Sequence, residues 1–574
     1  MSYRAPLSDI LFALRLAAGP DLEGLYADID GGVAEQTLTE AAKFAEEQLL
    51  PLDRRGDKIG ARYADGDVIT VPGWREAYAG WRAGGWNAIA ANPEFGGLGL
   101  PALLNAACTE IWNAANISFA LCPLLGHGAI EAMEAHASDA LKETYLSRIV
   151  SGEWTATMNL TEPQAGSDLA LLRARAERNA DGSYRLLGQK IFITYGEHDL
   201  ADNIVHLVLA RLPDAPAGTK GISLFLAPKF LPDETGAFTR RNALRCAGIE
   251  HKLGIHASPT CTMIYEDAIG FLVGEEHNGL ACMFTMMNNA RLSVGLQGVA
   301  LAERATQAAL AYAIERKQGR APGASETSAI IDHPDVSRML FTMASLTAAA
   351  RMICLETAAS LDRAHRDAHA ARAKEAEERA GLLTPVAKAF STDIGDEVTS
   401  LAVQVHGGMG YIEETGAAQL MRDARICAIY EGTNGIQAID LVGRKLPMSD
   451  GAALEREIED MRAIARESDC AAISEAVEAL AQASGYLAGA VKTSPAEALA
   501  GATPYLRLFA LARGATLLEK GARAARREGD HNAARYEALA RFFAKNIAVA
   551  APGLAKMVME GAASTLGARA ALIG

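Results

Sequence analysis

One carboxylate stands out by its setting: Glu431 in the run Ile429-Tyr430-Glu431-Gly432-Thr433-Asn434-Gly435-Ile436-Gln437. Held beside a bound molecule it can accept a proton, whereas a lone glutamate next to glycine is by default a solvated surface residue. Roughly 270 residues earlier, Met158-Asn159-Leu160-Thr161-Glu162-Pro163-Gln164-Ala165-Gly166-Ser167-Asp168 combines a hydroxyl, a proline-fixed turn and a glycine beside another hydroxyl. Such a segment can offer N–H and O–H groups to a planar polar ligand or a phosphate, and a plain turn is an equal reading. In Gln404-Val405-His406-Gly407-Gly408-Met409-Gly410-Tyr411 the glycines allow close approach to the backbone. No strand pattern leads into Gly408-x-Gly410 and no full GxGxxG follows, which weakens a nicotinamide-binding reading. His406 reads as a packed or capping histidine. The eight cysteines (Cys108, Cys122, Cys246, Cys261, Cys282, Cys354, Cys427, Cys470) lack the spacing of a metal knuckle or redox pair and are expected to be buried free thiols. His365 and His369, one helical turn apart among arginines and glutamates, read as a solvated helix face; no metal site is expected.

The elements that must position these groups follow from periodicity. Residues 1–33 form an N-terminal extension. Residues 34–155 carry apolar residues at helical spacing, as in LTEAAKFAEEQLL, and read as a helical domain. From 156 to 275 the pattern turns to short runs (SYRLLGQKIFITYG, IVHLVLARL, GISLFLA, TCTMIYEDAIGFLVG) with turn residues between them, which predicts an antiparallel sheet or small barrel. Helical spacing returns over 276–446, a helical bundle domain, broken by the loop-like GRAPGASETSAIIDHPD and by DRAHRDAHAARAKEAEERAG, read as an exposed helical excursion. Residues 447–574 are alanine-rich and form an additional C-terminal helical domain. The fold class is therefore α+β, and with no alternation of strands and helices a doubly wound sheet is disfavoured.

The chain of 574 residues, 50% of them apolar, is long enough for several cores. Its net charge of -15 opposes binding to nucleic acid or anionic lipid. The N-terminal MSYRAPLSDILFALRLAAG has no basic leader before an uninterrupted apolar stretch, and no run of about 18 apolar residues lacks a charge or turn. The expectation is a cytoplasmic protein that does not span a membrane.

The motifs together resemble the acyl-CoA dehydrogenase family from about residue 35 to 446, in the family's order. TEPQAGSD at the entry to the β region resembles its flavin-binding signature, which implies FAD contacts from Met158, Leu160, Thr161, Gly166 and Ser167. GlyGlnLysIlePheIleThr (188–194) resembles the strand beside the flavin: Thr194 would hydrogen-bond the ring, Ile193 would line it, and Phe192 stands where tryptophan is usual, keeping an aromatic wall. GluArgLysGlnGly (315–319) resembles the segment whose arginine reaches the neighbouring subunit's flavin pyrophosphate. Arg316 is the match, with Gln318 beside it, and its planar fork suits phosphate; the usual phenylalanine before the glycine is missing. Gln404, Gly407 and Gly408 match the family's adenosine and pyrophosphate contacts, and Thr433 a further flavin contact. The glutamate of YEGT, here Glu431, is the family's catalytic base. Some members keep the base directly before an arginine on an earlier helix. Here that arginine is Arg291 and its predecessor is Ala290, which cannot take a proton.

The resemblance implies α,β-dehydrogenation of an acyl-CoA to a trans-2-enoyl-CoA, with Ser167, Asn288, Arg291 and Gly432 contacting substrate. A structural salt bridge is the competing reading of Arg291. It also implies electron transfer to an electron-transfer flavoprotein and a homodimer or larger homo-oligomer. The opening SerTyrArgAlaProLeuSerAspIleLeuPhe and the long tail resemble a bacterial subgroup that includes 3-(methylthio)propanoyl-CoA dehydrogenases and enzymes of fatty acyl-CoA breakdown. The alternative is a non-catalytic or DNA-associated flavoprotein of the same superfamily. Residues from 451 onward hold 15 basic and 14 acidic groups, without the positive excess DNA binding needs.

Overall fold

The computed structural model describes residues 3–568 and 570–573. Contacts gather the chain into two compact units: Glu40–Pro101 with Ala115–Ala290, and the stretch up to Thr39 with Ala102–Ala114 and everything from Arg291 onward. Three of the four cuts fall inside helices, and each unit gathers separate stretches of the chain.

The opening helices are α1 (Leu7–Ala18), α2 (Val33–Phe44), α3 (Leu50–Ile59), α4 (Trp74–Ala83) and α5 (Ala102–His136). A small antiparallel hairpin, Arg62–Ala64 against Asp67–Ile69, interrupts what the sequence presents as purely helical. Within α5, Asn116 leaves helical geometry (φ -160°, ψ 91°), because its buried side chain accepts from the Phe119 N–H and donates to the Leu49 carbonyl. An asparagine competing for backbone groups breaks a helix in this way.

A seven-stranded sheet follows, made of β1 (Thr155–Asn159), β2 (Arg175–Arg178), β3 (Tyr184–Thr194), β4 (Ile204–Arg211), β5 (Ile222–Pro228), β6 (Leu244–Ile249) and β7 (Thr260–Val273), with a separate hairpin of Phe230–Pro232 against Phe238–Arg241 between β5 and β6. Pairings β7–β3, β3–β2, β2–β4, β4–β5 and β5–β7 close a ring, the barrel expected from the turn spacing. It is mixed and not wholly antiparallel, since β1 lies parallel to β4 with Thr155 opposite Ile204 and Asn159 opposite Val208. Alternating exposure marks β3, while β5 is buried throughout and β4 up to its last residue, Arg211; a strand covered on both faces reads as a continuous apolar run.

The other unit is built on α6 (Gly279–Glu315), α7 (Pro334–Arg366) and α8 (Ala370–His406). The charged stretch expected as a helical excursion is the tip of the α7–α8 hairpin: the chain turns at Asp367–His369. His365 therefore lies in the last turn of α7 and His369 in the turn itself, as the N-cap of α8, so the two do not share one helical face. Gly298 of α6 lets α8 come close, for a Cβ there would lie 2.2 Å from the Ser391 carbonyl oxygen. Two short helices follow, α9 (Ala417–Ala424) and α10 (Asn434–Asp440). The tail adds α11 (Ala452–Arg466), α12 (Ala471–Thr493), α13 (Ala502–Glu528), α14 (Ala533–Asn546) and α15 (Ala551–Glu560).

That tail is bound into its unit. Arg513 on α13 is 1% exposed and pairs with Glu457 (3.0 Å) and Asp460 (2.6 Å) of α11, while Arg379 of α8 reaches Glu457 (2.9 Å). The N-terminal extension is held likewise: Asp9 accepts from Arg535 (2.6 Å) and Tyr536 (3.0 Å) of α14, and Phe12 stacks on Tyr536. Seven cysteines are buried and Cys470 is partly so; among the described residues no group of three His, Cys, Asp or Glu is placed to hold a metal. Pro334–Arg366 and Ala533–Glu560 are long and apolar enough to cross a membrane by length and composition, and the first is mostly buried inside the protein.

Candidate active site

Glu431 lies in a turn that the sequence forces into an unusual shape. Glu431 has φ +55° and Gly432 φ +85°, two consecutive left-handed residues, after which Thr433 caps α10 by accepting from the Ile436 N–H. Left-handed geometry is costly for a glutamate. It is imposed from both sides: Gln437, fully buried on α10, donates back to the Glu431 and Gly432 carbonyls (3.4 and 3.3 Å). Tyr430 donates its hydroxyl to Gln297 of α6, which in turn donates to Asn113 of α5 (3.1 Å). Among the described residues the Glu431 N–H has no acceptor.

Around the carboxyl, loss of hydration dominates. Glu431 keeps some accessible surface, yet crowding pushes its pKa up to about 7, against the pull of Arg291 and Lys388. Arg291 is 5% exposed and ion-paired to Asp440 (3.4 Å), which also accepts from Arg444 (2.6 Å). The salt-bridge reading of Arg291 is thus realised, and its guanidinium still lies beside the turn: a Cβ on Gly432 would be 3.9 Å from it. Ala290, its predecessor, is buried and offers no base. On the same helix Phe284, Met287 and Asn288 keep surface accessible.

Lys388, Gln437, Gln297 and Asn434 were not singled out by the sequence. Asn434 opens α10 and binds α8 four ways, accepting from Lys388 Nζ (2.8 Å) and donating to Asp393 (2.6 Å), Thr392 (2.9 Å) and the Ala389 carbonyl (3.2 Å). For Lys388 the available signal was the recurrence of Thr384, Lys388 and Thr392 once per turn among buried apolar residues of α8.

In the barrel unit, Glu162 organises the TEPQAGSD turn. It is buried and accepts from Lys190 (2.8 Å), Gln164 (2.6 Å) and the N–H groups of Arg173 and Ala174 (2.7 and 3.0 Å), while Lys190 also donates to the Leu160 carbonyl. With that carboxylate facing inward, the following residues turn outward. Gly166, Ser167 and Asp168 are exposed, and among the described residues their N–H groups have no acceptor. Phe192 has φ +61° where β3 and β7 shift register, and the residue is 58% exposed. Thr161 and Thr194 are partly accessible. Open N–H donors, hydroxyls and an exposed aromatic ring fit a large planar cofactor with a polar rim. Met158 and Ile193 are buried, so only their main-chain groups can take part.

The remaining predicted contacts lie on the other unit. Arg316 and Gln318 follow α6 in a loop held by Ile330 N–H to Arg316 O and Gln318 N–H to Ser328 O. Gln404, Gly407 and Gly408 are exposed at the end of α8. His406 stacks on Tyr312 (centroids 4.5 Å apart) and bonds the Ala402 carbonyl, so it is the packing residue expected, and it joins these two segments at one end of the helix pair.

Matches to known protein families run along the chain in order. The family descriptions "Acyl-CoA dehydrogenase, N-terminal domain" (residues 34–153), "middle domain" (157–268) and "C-terminal domain" (277–446) match in order, and "Acetyl-CoA dehydrogenase C-terminal like" matches 453–569. The 3-methylmercaptopropionyl-CoA dehydrogenase of Ruegeria pomeroyi is 48% identical over 88% of this chain and 89% of that protein. The broad-specificity linear acyl-CoA dehydrogenase FadE5 of Mycobacterium tuberculosis is 33% identical over 79% and 76%. In fold, the chain resembles Caenorhabditis elegans ACDH-11 in complex with C11-CoA (TM-score 0.76, 20% identity, 93% and 92% covered). It also resembles a Bacillus anthracis acyl-CoA dehydrogenase complexed with FAD (TM-score 0.75, 21% identity, 93% and 90% covered). The chain belongs to the acyl-CoA dehydrogenase family, the FAD-dependent enzymes that oxidise acyl-CoA thioesters between the α and β carbons, and it carries that family's extra C-terminal helical domain.

Proposed function

We propose that Glu431 is the base of this dehydrogenase and that, of the methylthio-substituted and fatty acyl-CoAs that the resemblance allows, its substrate is 3-(methylthio)propanoyl-CoA. The observation that carries the base assignment is the Glu431–Gly432 turn, where a carboxylate with a pKa near 7 sits on the same residue as a main-chain N–H lacking an acceptor. The α-proton of a thioester is weakly acidic, so its removal needs a base at the α-carbon and donors on the thioester oxygen. One residue supplies both when the carboxyl faces the carbon and the N–H faces the oxygen. Entry of the acyl chain strips the remaining water from Glu431, strengthens it as a base and places it for proton transfer. Ser167, Asn288, Arg291 and Gly432 are the proposed contacts to acyl-CoA.

FAD, when bound, accepts the β-hydrogen as hydride. Thr161, Gly166, Ser167, Phe192, Thr194 and the main chain at Met158, Leu160 and Ile193 would hold it, with Thr433 near the turn. Arg316, Gln318, Gln404, Gly407 and Gly408 face outward and would serve the flavin of a second copy, which makes a homodimer the smallest complete assembly. Electrons would leave to an electron-transfer flavoprotein, in the cytoplasm. The substrate reading rests on similarity to the Ruegeria pomeroyi enzyme.

A spectrophotometric screen of the purified protein with methylthio-substituted, short, medium and long acyl-CoAs, reading bleaching of the flavin, tests both parts. Fastest bleaching by 3-(methylthio)propanoyl-CoA is expected; preference for long chains would overturn the substrate assignment.

A further inference from the structure

We propose that Lys388 is a positioning residue whose buried ammonium holds the Glu431 carboxylate ready as a base, a role that rests on Glu431 being the base. Lys388 is fully buried on α8, and its Nζ donates to the Asn434 side-chain oxygen (2.8 Å). Among the described residues it makes no ion pair, so a full charge lies in the interior with a neutral amide as its acceptor. Buried ammonium groups are expensive without a compensating anion.

Its placement makes a purely structural role costly. Asn434 opens α10, and the N-terminal end of a helix carries partial positive charge, which a neighbouring cation opposes. A glutamine at 388 could bond Asn434 without that cost. Two carboxylates lie near enough to compensate: Glu431, three residues before Asn434, and Asp393, which Asn434 bonds directly (2.6 Å). Asp393 has Arg425 and Arg507 acting on it as well. Glu431 has Arg291, already committed to Asp440, and Lys388.

The groups facing Glu431 are therefore few and can be named. Arg291 from α6 and Lys388 from α8 act on it directly, and Tyr430 precedes it in the turn; Asp440, with Arg444 beyond it, acts on Arg291, Asp393 and Cys427 act on Lys388, and Cys427 also contacts Tyr430. Lys388 itself is pushed down to about pKa 8 by burial, so its charge is present in the range where Glu431 titrates near 7. Below that range both groups hold their protons. As Glu431 ionises, the ammonium favours the carboxylate; above about 8 Lys388 becomes neutral and its influence fades.

The test uses the flavin-loaded enzyme with Lys388→Gln, which keeps a donor for Asn434 but no charge, Lys388→Arg, which keeps the charge, and Lys388→Met. Flavin reduction by acyl-CoA is followed by rapid mixing across pH. Separately, the Glu431 carboxyl is titrated by carbon-13 NMR of glutamate-labelled protein without substrate, with the signal assigned by its loss in Glu431→Gln. In Lys388→Gln the acid limb and the NMR midpoint are expected to move up by about one unit, so that reduction near pH 6 falls roughly tenfold and near pH 9 approaches the wild-type rate. Lys388→Arg is expected to restore both readings. A wild-type midpoint in Lys388→Gln overturns the proposal, as does an upward shift that Lys388→Arg fails to restore. If Lys388→Met does not fold, the Gln and Arg variants still decide. If Glu431→Gln reduces its flavin normally, the base assignment itself falls. If that variant is inactive and Lys388→Gln keeps the wild-type limb, only the role of Lys388 falls.

Discussion

At the scale of the residue, Glu431 carries a conflict between stability and chemistry, and the conflict has a sign. Its carboxyl titrates near 4.5 in an unfolded chain and near 7 in the fold. A group whose folded pKa is raised contributes stability that is fully present below the unfolded value and is lost as pH climbs through the folded one. Rising pH should therefore cost the wild type stability between those two values, and Glu431→Gln should escape that cost. Thermal unfolding of the two proteins is expected to show little difference at pH 5 and an advantage of about 1–3 °C for Glu431→Gln at pH 8. The same variant should bind flavin yet lose at least roughly 10³-fold in flavin reduction by acyl-CoA, within the range a general base contributes. Normal bleaching of its flavin would end the assignment. The glutamate was legible because YEGT is contiguous and distinctive. Lys388 and Gln437 were not, because what makes them matter is a neighbour brought close by folding.

At the scale of the element, the turn before α10 depends on left-handed backbone and on Gln437. Alanine at 432 would strain the φ of +85° and set its Cβ 2.7 Å from the Gln437 side-chain nitrogen. Gly432→Ala is expected to lose about 1–2 kcal/mol of stability and to slow flavin reduction roughly tenfold or more, because the carboxyl and the N–H move together. Denaturant titration and rapid-mixing reduction would check both, and a stable variant with wild-type reduction would contradict the account. In the barrel, Glu162 and Lys190 do for the TEPQAGSD turn what Gln437 does here. Lys190→Met leaves a carboxylate buried without its cation and should cost about 3–5 kcal/mol, with flavin lost on desalting. Strand positions could be read from the sequence where exposure alternates, as in β3. The parallel pairing of β1 with β4 could not, since a strand's partner is fixed by the path of the chain and leaves no local mark. The α7–α8 turn was hidden for a related reason: charges crowd a hairpin tip as they do an exposed helix face.

At the scale of the whole molecule, the order of helical, barrel, helical and tail segments was readable from periodicity, whereas the way the tail and the N-terminal extension join one unit depends on pairs such as Arg513–Glu457 and Asp9–Arg535 that lie far apart in sequence. What the single chain leaves open to solvent bears on assembly. Tyr411 is 85% exposed, and Ile314, Met409 and Ile412 are also exposed on the two segments that the Tyr312–His406 stack joins. Apolar side chains gathered at one end of a helix pair, beside Arg316 and Gln404, mark a surface made to be covered. If a second copy covers it and Arg316 completes that copy's flavin site, association and flavin retention are one equilibrium, because a ligand that binds only the assembled state stabilises it by mass action. Diluting the protein should then release flavin, seen as rising flavin fluorescence, over the same concentration range in which sedimentation shows the dimer dissociating. Tyr411→Asp should move both curves to higher protein concentration together. Arg316→Met should weaken flavin retention while leaving dimer formation in the presence of saturating flavin nearly unchanged, since it removes a phosphate contact without adding a charge to the apolar patch. Flavin that stays bound to a fully monomeric protein would show that each chain holds its cofactor alone.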